Sequence, residues 1–483
     1  MKTENIEDIY ELTPIQKGIL FHSLYAPEFG QYFFQTRFAI RGNLNSVAFE
    51  QAWQHVVSRH TILRSGFYWE DVDNPLQVVY KQVNLPLEQQ DWRELDPVEQ
   101  DKRLTAFLKC DRQQGFDLSQ ECQMRLTLFR CADQYYQFIW SRHFLIVDGW
   151  SAPRVLDEVV QFYEAFCQDQ TLSLAPSIPF QIYIDWLQQQ DLSKAEVFWR
   201  RVLQGVKAPT PLTYLYADDV GSLANPNEQY NDQQITLSEA KTAALQSLAK
   251  QHQLTLNTLI QGAWTILLSR YSGEKDVVYG CTVSGRPADL VGAESIVGML
   301  VNTLPVRVKV NPEQSLLPWL KQLQAQLVEM RQYEYSPLVD VQGWSDVPRG
   351  MPLFESIVVF ENLPVPPSLR EGNRSIEVPN FTNLYKINYP LTVVIIPGSS
   401  LVLGINYDFS RIDVATINGI LTHFEIILHC MVTHPEVPLK DLSILTQTEQ
   451  RLALELEKEI TFDFDFKETS PIDQNPVQVS VSK

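Results

Sequence analysis

The run His143-Phe144-Leu145-Ile146-Val147-Asp148-Gly149-Trp150 holds the residue types best suited to chemistry in this chain of 483 residues. An imidazole titrates near neutrality and can serve as a general base. An aspartate a few residues on can orient such a base. A glycine beside it lets the backbone come close to a substrate. Taken alone the run is a weak signal, because a lone histidine in such a setting is more often a satisfied structural residue.

The elements around the run decide where it sits. Met124, Leu126 and Leu128 alternate with Arg125 and Thr127, and Tyr136, Phe138 and Trp140 alternate after a polar turn near Asp133. Both patterns predict strands of a hairpin. Ser151 is placed as the N-cap of a following helix, with Pro153 in the first turn and Val155, Leu156, Val159, Tyr163 and Phe166 as its apolar stripe. The motif is therefore expected on a strand-to-helix loop. Upstream, Asn45 or Ser46 caps a helix with Val47, Ala52, Trp53, Val56 and Val57 on its apolar face. Residues 205–234, rich in Pro, Asn, Asp and Gly, read as a linker. Helices are expected from Ser238 to about Gln251, from Asn257 past Trp264, over Leu317–Arg331 and over Val414–Cys430. Strands are expected at Val277–Val283, Glu355–Phe360, Leu391–Ile396 and Leu401–Tyr407. Residues from about 459 onward read as a poorly ordered tail. Strands interleave with helices in both halves, as in two related α/β lobes.

Composition excludes several functions. Apolar residues make up 45 %, enough for a full core in each half, and the net charge is −19 with no basic stripe, which argues against nucleic acid. No apolar window long enough to span a membrane and no secretory h-region are visible. The six cysteines are scattered without a CxxC pair, which points to free buried thiols in a reducing cytoplasm and to no zinc site. There is no HExxH, no P-loop and no G-x-S-x-G.

The ordered motifs carry more. Leu12-Thr13-Pro14-Ile15-Gln16-Lys17-Gly18-Ile19 stands near the start, followed by Arg59-His60-Thr61-Ile62-Leu63-Arg64-Ser65-Gly66-Phe67. After the His143 run come Tyr183-Ile184-Asp185-Trp186, Ser284-Gly285-Arg286-Pro287, Val297-Gly298-Met299-Leu300-Val301-Asn302-Thr303, Tyr335-Ser336-Pro337-Leu338 and Leu353-Phe354-Glu355-Ser356. In this order, over about residues 8–450, they resemble the condensation domains of nonribosomal peptide synthetases, whose core motif is H-H-x-x-x-D-G. The resemblance implies two chloramphenicol-acetyltransferase-like lobes in a V, an α/β pseudo-dimer with a central tunnel. It places the lobes at 1–175 and 235–450, a connection at 176–234 and a linker or tail at 451–483. It implies amide bond formation between donor and acceptor thioesters, each on the phosphopantetheine arm of a carrier protein, by a cytoplasmic monomer that binds no cofactor or metal itself. Amide-forming domains that join two L-configured residues are the most similar group. The absence of adenylation or carrier segments after residue 450 reads as a free-standing or excised domain, and the Met1 start favours free-standing or N-terminal placement.

Carried over residue by residue, Asp148 corresponds to a structural aspartate, with Arg286 its expected salt-bridge partner. Gly149 corresponds to the glycine whose N–H lies near the donor carbonyl. Trp150, Ser151, Asn302, Thr303 and Ser336 are expected along the tunnel. His143 matches the first, structural histidine of the motif. Phe144 stands where the family keeps its catalytic histidine, and a phenyl ring takes no proton. Three readings stay open: a binding platform that recruits carrier proteins or a tailoring enzyme, catalysis by proximity with an amine already partly deprotonated, or a substitution introduced into the natural sequence. A swing of His143 into the catalytic role is disfavoured, because neighbouring strand residues face opposite ways.

Overall fold

The computed structural model describes residues 3–25, 32–216, 230–362, 376–385, 388–452 and 454–455. The strands among them are β1 (Ile6–Glu11), β2 (Phe33–Gly42), β3 (Ser65–Tyr68), β4 (Leu76–Tyr80), β5 (Leu87–Asp91), β6 (Met124–Ala132), β7 (Tyr135–His143), β8 (Tyr230–Thr236), β9 (Asp276–Val283), β10 (Asn302–Lys309), β11 (Ser356–Phe360), β12 (Ile376–Tyr385), β13 (Leu391–Ile396) and β14 (Val402–Asp408). The helices are α1 (Pro14–Tyr25), α2 (Ser46–Arg59), α3 (Pro97–Gln114), α4 (Ser151–Cys167), α5 (Gln181–Gln188), α6 (Leu192–Leu203), α7 (Glu239–Gln251), α8 (Leu256–Ser272), α9 (Leu316–Met330), α10 (Leu338–Gly343) and α11 (Val414–Thr433).

The first half is built on a five-stranded sheet in the order β12-β2-β7-β6-β5. The hairpin β6–β7 pairs antiparallel, Leu126 opposite Trp140 and Leu128 opposite Phe138. These side chains join Trp53, Val56 and Val57 of α2 in one core. Asn45 caps α2 by accepting the Ala48 N–H, and α2 packs on α4. Val47 is 62 % exposed, so the apolar face begins with Ala48 and Phe49 instead. The second half is built on a six-stranded sheet, β10-β9-β11-β13-β14-β8, in which β11 runs parallel to both neighbours.

Helix α8 is buried continuously from Thr258 to Leu268. Its cap lies two residues earlier than expected, because Thr255, not Asn257, caps it by accepting the Thr258 N–H. By length and composition α11 could cross a bilayer. Its stripe of Ile417, Ile420, Leu421, Phe424, Ile427, Leu428 and Met431 is instead buried in the second core, against α7 and α8.

Two corrections concern the region read as a linker. Residues 230–236 form β8, paired with β14 at the sheet edge, and Thr213–Leu215 form a short 3₁₀ turn. Residues 217–229 lie outside the described set, as does most of 451–483, so the expected tail is not described. Strand β12, from the second half of the chain, pairs with β2 of the first. The segment Ile296, Val297, Met299 and Leu300 likewise packs into the first core.

Candidate functional site

A cavity of about 1940 Å³ runs between the two halves. It is roughly twice the upper end of ordinary small-ligand pockets. Its walls come from α1, β2, β7 and α4 on one side and from α8, β9, β10 and the α9–α10 region on the other.

Strand β7 delivers the motif to this cavity. His143 closes the strand opposite Phe33, and the next residue leaves it. The alternation of side chains sends the two rings opposite ways. Phe144 lines the cavity, its ring near-parallel to those of Tyr32 (centroids 6.3 Å apart, 28°) and Phe34 (5.9 Å, 9°). Its backbone N–H donates to Tyr32 O at 2.8 Å. No proton acceptor stands at that position.

His143 is 5 % exposed and is absent from the cavity wall. Its Nδ1 accepts the Leu145 N–H at 3.2 Å, which leaves the proton on Nε2, 3.2 Å from Ser23 Oγ. Ser23 Oγ in turn donates to Ile19 O. Burial depresses the imidazole pKa to about 3, so the ring is neutral and structural. Grouping His143 with catalytic residues is corrected on this geometry.

Asp148 is 1 % exposed and likewise faces away from the cavity. Its carboxylate accepts from Arg286 Nη1 at 3.0 Å and Nη2 at 3.1 Å, from Ser151 N at 2.7 Å, from Leu300 N at 3.0 Å and from Val301 N at 3.3 Å. It satisfies an orphan N–H of the first turn of α4, a task sequence reasoning gave to Ser151. It also ties the loop of the first half to β9 and the 296–301 segment of the second. A carboxylate so engaged is a fastener rather than a catalyst.

Gly285, with φ +61°, makes the turn that aims Arg286. An added Cβ there would sit 1.7 Å from Leu300 O. Ser151 is 1 % exposed and also belongs to this junction. Its Oγ donates to Gly298 O at 3.0 Å and accepts from Arg286 Nη2 at 3.1 Å and Gly298 N at 3.0 Å. Ser336 is fully buried, accepting from Trp199 Nε1 at 2.8 Å and donating to Tyr333 O at 2.8 Å. Neither serine is on the cavity wall, because both hydroxyls are spent on packing; their placement along the tunnel is corrected.

Gly149, Trp150, Asn302 and Thr303 do line the cavity. The Gly149 N–H has no hydrogen-bond partner among the described residues. The Trp150 ring lies under the Arg286 guanidinium, 5.7 Å from its carbon. The Asn302 amide is consumed locally, donating to Glu334 O and Ser336 O and accepting from Thr303 N.

Several wall residues carried no sequence signal of a role. His22 of α1 accepts from Asn388 Nδ2 at 3.3 Å, while Asn388 Oδ1 accepts from Tyr32 OH at 2.8 Å. Burial lowers the His22 pKa, which keeps it neutral. Glu334 and Glu361 also line the cavity, and burial raises both carboxyls above their usual range. Gln16, within the first quoted motif, holds the loop after β7 from behind: its Nε2 donates to Leu145 O and to Gln77 Oε1, both at 3.0 Å. A buried polar residue in an apolar helix face was the available clue. Among the described residues no cluster of His, Cys, Asp and Glu could hold a metal.

Comparison with known proteins places this geometry. Residues 6–454 match the family described as Condensation domain. One of the linear gramicidin synthase subunits of Brevibacillus parabrevis is 44 % identical over 453 residues, covering 94 % of this chain and 6 % of that protein. Surfactin synthase subunit 3 of Bacillus subtilis (strain 168) is 30 % identical over 455 residues, covering 93 % of this chain and 35 % of that protein. The chain thus spans under a tenth of the length of the gramicidin synthase subunits it matches. In fold it is similar to a four-domain nonribosomal peptide synthetase bound to AMP and glycine (TM-score 0.76, 19 % identity, 92 % of this chain and 34 % of that one). It is also similar to the X-domain from teicoplanin biosynthesis (TM-score 0.74, 20 % identity, 92 % of this chain and 99 % of that one). The α/β architecture of two acetyltransferase-like lobes around a tunnel is the fold these structures share. With a family match across nearly its whole length, the chain belongs to the condensation domains of nonribosomal peptide synthetases.

Proposed function

We propose that this domain joins two acyl groups held on the phosphopantetheine arms of a donor and an acceptor carrier protein, most similarly to domains that join two L-configured residues. The lobes, read as 1–175 and 235–450 with β8 and α6 of the connecting region packed into the second, form the two walls. The observation that carries the reading is the continuous cavity between the halves, with Phe144 on its wall and the Gly149 N–H there without a partner among the described residues. The acceptor nitrogen attacks the donor thioester carbon. A C–N bond forms, the C–S bond breaks, and the amine proton ends on the departing thiolate. The Gly149 N–H is available to the oxygen that gains charge. Phe144 supplies no base, so catalysis rests on holding both arms in register, which alone can account for much of the rate.

The test is reconstitution with two loaded carrier proteins, following amide product by intact mass. Product from the chain with Phe144 supports catalysis by proximity. Phe144→His adds a proton acceptor and is expected to raise the rate by roughly 10²-fold, at the lower end of general-base contributions. No product from either form would sink the proposal and leave a carrier-binding platform.

A further inference from the structure

Arg142 immediately precedes the motif on β7 and is 3 % exposed, yet it lines the cavity. Its guanidinium carbon lies 4.0 Å from the Trp140 ring centroid and 4.4 Å from that of Phe34. The Phe34 ring in turn stacks on Phe144. Nη1 donates to Thr36 Oγ1 at 2.9 Å, and Nε is sealed without a partner. Nη2 has no protein partner among the described residues and is not sealed off, which leaves it as the nitrogen open to the cavity. No carboxylate pairs with Arg142 among the described residues. Burial lowers its pKa to about 9, so the charge persists at neutral pH.

A buried cation without a counter-charge is costly, and cation–π contacts of up to about 2 kcal/mol each offset only part of the several kcal/mol lost in desolvation. The surroundings add a second donor. Thr36 Oγ1 donates to Asn383 Oδ1 at 3.0 Å, which turns the Asn383 amide so that its Nδ2 is left to donate; Thr36 and Asn383 both line the cavity. Phe38, Phe138 and Leu156 are among the apolar residues that line the same cavity. A donor pair set into an apolar wall selects an oxyanion at the end of an apolar stem.

We propose that Arg142, with Thr36 and Asn383, forms a subsite for a carboxylate carried on the side chain of an acyl group held beside Phe144. This rests on the reading of the cavity as a thioester tunnel. The specificity it gives is for acidic over neutral acyl groups of equal length.

The test is calorimetric titration of the full chain with three N-acetylcysteamine thioesters: adipoyl, its terminal amide adipamoyl, and heptanoyl. The adipoyl thioester is expected to bind at least tenfold more tightly than the amide. Arg142→Met is expected to abolish that preference, so that acid and amide bind alike, and Arg142→Lys to keep part of it. Equal affinity for acid and amide in the unaltered chain, or a preference that survives in Arg142→Met, overturns the subsite. Should Arg142→Met lose heptanoyl binding through misfolding, the acid–amide ratio of Arg142→Lys decides. Heptanoyl binding without acid preference refutes the subsite alone, whereas no binding of any thioester refutes the tunnel reading and the subsite with it.

Discussion

At the scale of single residues, two neighbours carry opposite fates. Strand alternation, readable in the sequence, already separates His143 from Phe144, and the structure places one in the core and the other on the cavity wall. What the sequence did not reveal is how completely His143 is consumed, because Ser23 reaches it through tertiary packing and the loop after β7 turns the Leu145 N–H back onto it. Its depressed pKa has a consequence for stability. The unfolded chain takes up a proton below about pH 6.5, while the native ring refuses one until about pH 3. The stabilisation is full above pH 6.5 and is lost as pH falls through that window, by about 2 kcal/mol between pH 7 and 5. Urea unfolding of the unaltered chain and of His143→Asn at both pH values should show the steeper acid loss in the unaltered chain. A second pH effect belongs to Phe144. Without a base beside it, amide formation should follow the free-amine fraction of the acceptor and rise with pH up to about 8. In Phe144→His the rise should move toward the imidazole range near 6.5. Identical pH–rate profiles for the two would remove the proton-handling role from this position.

At the scale of elements, legibility tracked how sharply apolar and polar residues alternate. Helices α2, α4 and α7 were readable because one face of each is buried, and the hairpin β6–β7 because its residue types alternate, although β7 is buried on both faces. Strand β8 was not: Tyr-Asn-Asp-Gln-Gln-Ile-Thr is polar because it lies on a sheet edge with little to bury. Ser151 and Ser336 were misplaced for a related reason, since a hydroxyl in a motif looks alike whether it meets substrate or backbone. The turn between β9 and Arg286 is where an element controls the site. Gly285→Ala must adopt a left-handed φ and push its Cβ into Leu300 O. It should destabilise the fold by about 1–3 kcal/mol and pull Arg286 off Asp148. Asp148→Ala should cost more, about 3–5 kcal/mol, by leaving the Arg286 charge buried and unpaired. Denaturant midpoints would rank the two, and a Gly285→Ala midpoint equal to that of the unaltered chain would exclude the strained-turn explanation.

At the scale of the whole molecule, the two halves are less separable than their motifs suggest. Each has its own sheet and its own core, so the division into lobes was legible from interleaved strands and helices. The exchange between them was not, because pairing partners far apart in sequence leave no local pattern. The 296–300 segment fills the first core, β12 extends the first sheet along β2, and Arg286 meets Asp148 across the junction. A fragment ending at residue 234 would lack β12, one of the two partners of β2, together with the apolar segment and the counter-charge of Asp148. The buried ion alone accounts for about 3–5 of the 5–15 kcal/mol by which a domain is usually stable, and the other two losses add to it. Residues 1–234 and 235–455 expressed separately should therefore give no cooperative urea transition by circular dichroism, while the intact chain unfolds in one transition. Mixing the fragments should restore part of the native signal, since the exchanged elements recognise their own sheet and core. Two cooperative transitions in the intact chain, or a stably folded 1–234 fragment, would show that the shared elements dock onto finished lobes rather than complete them.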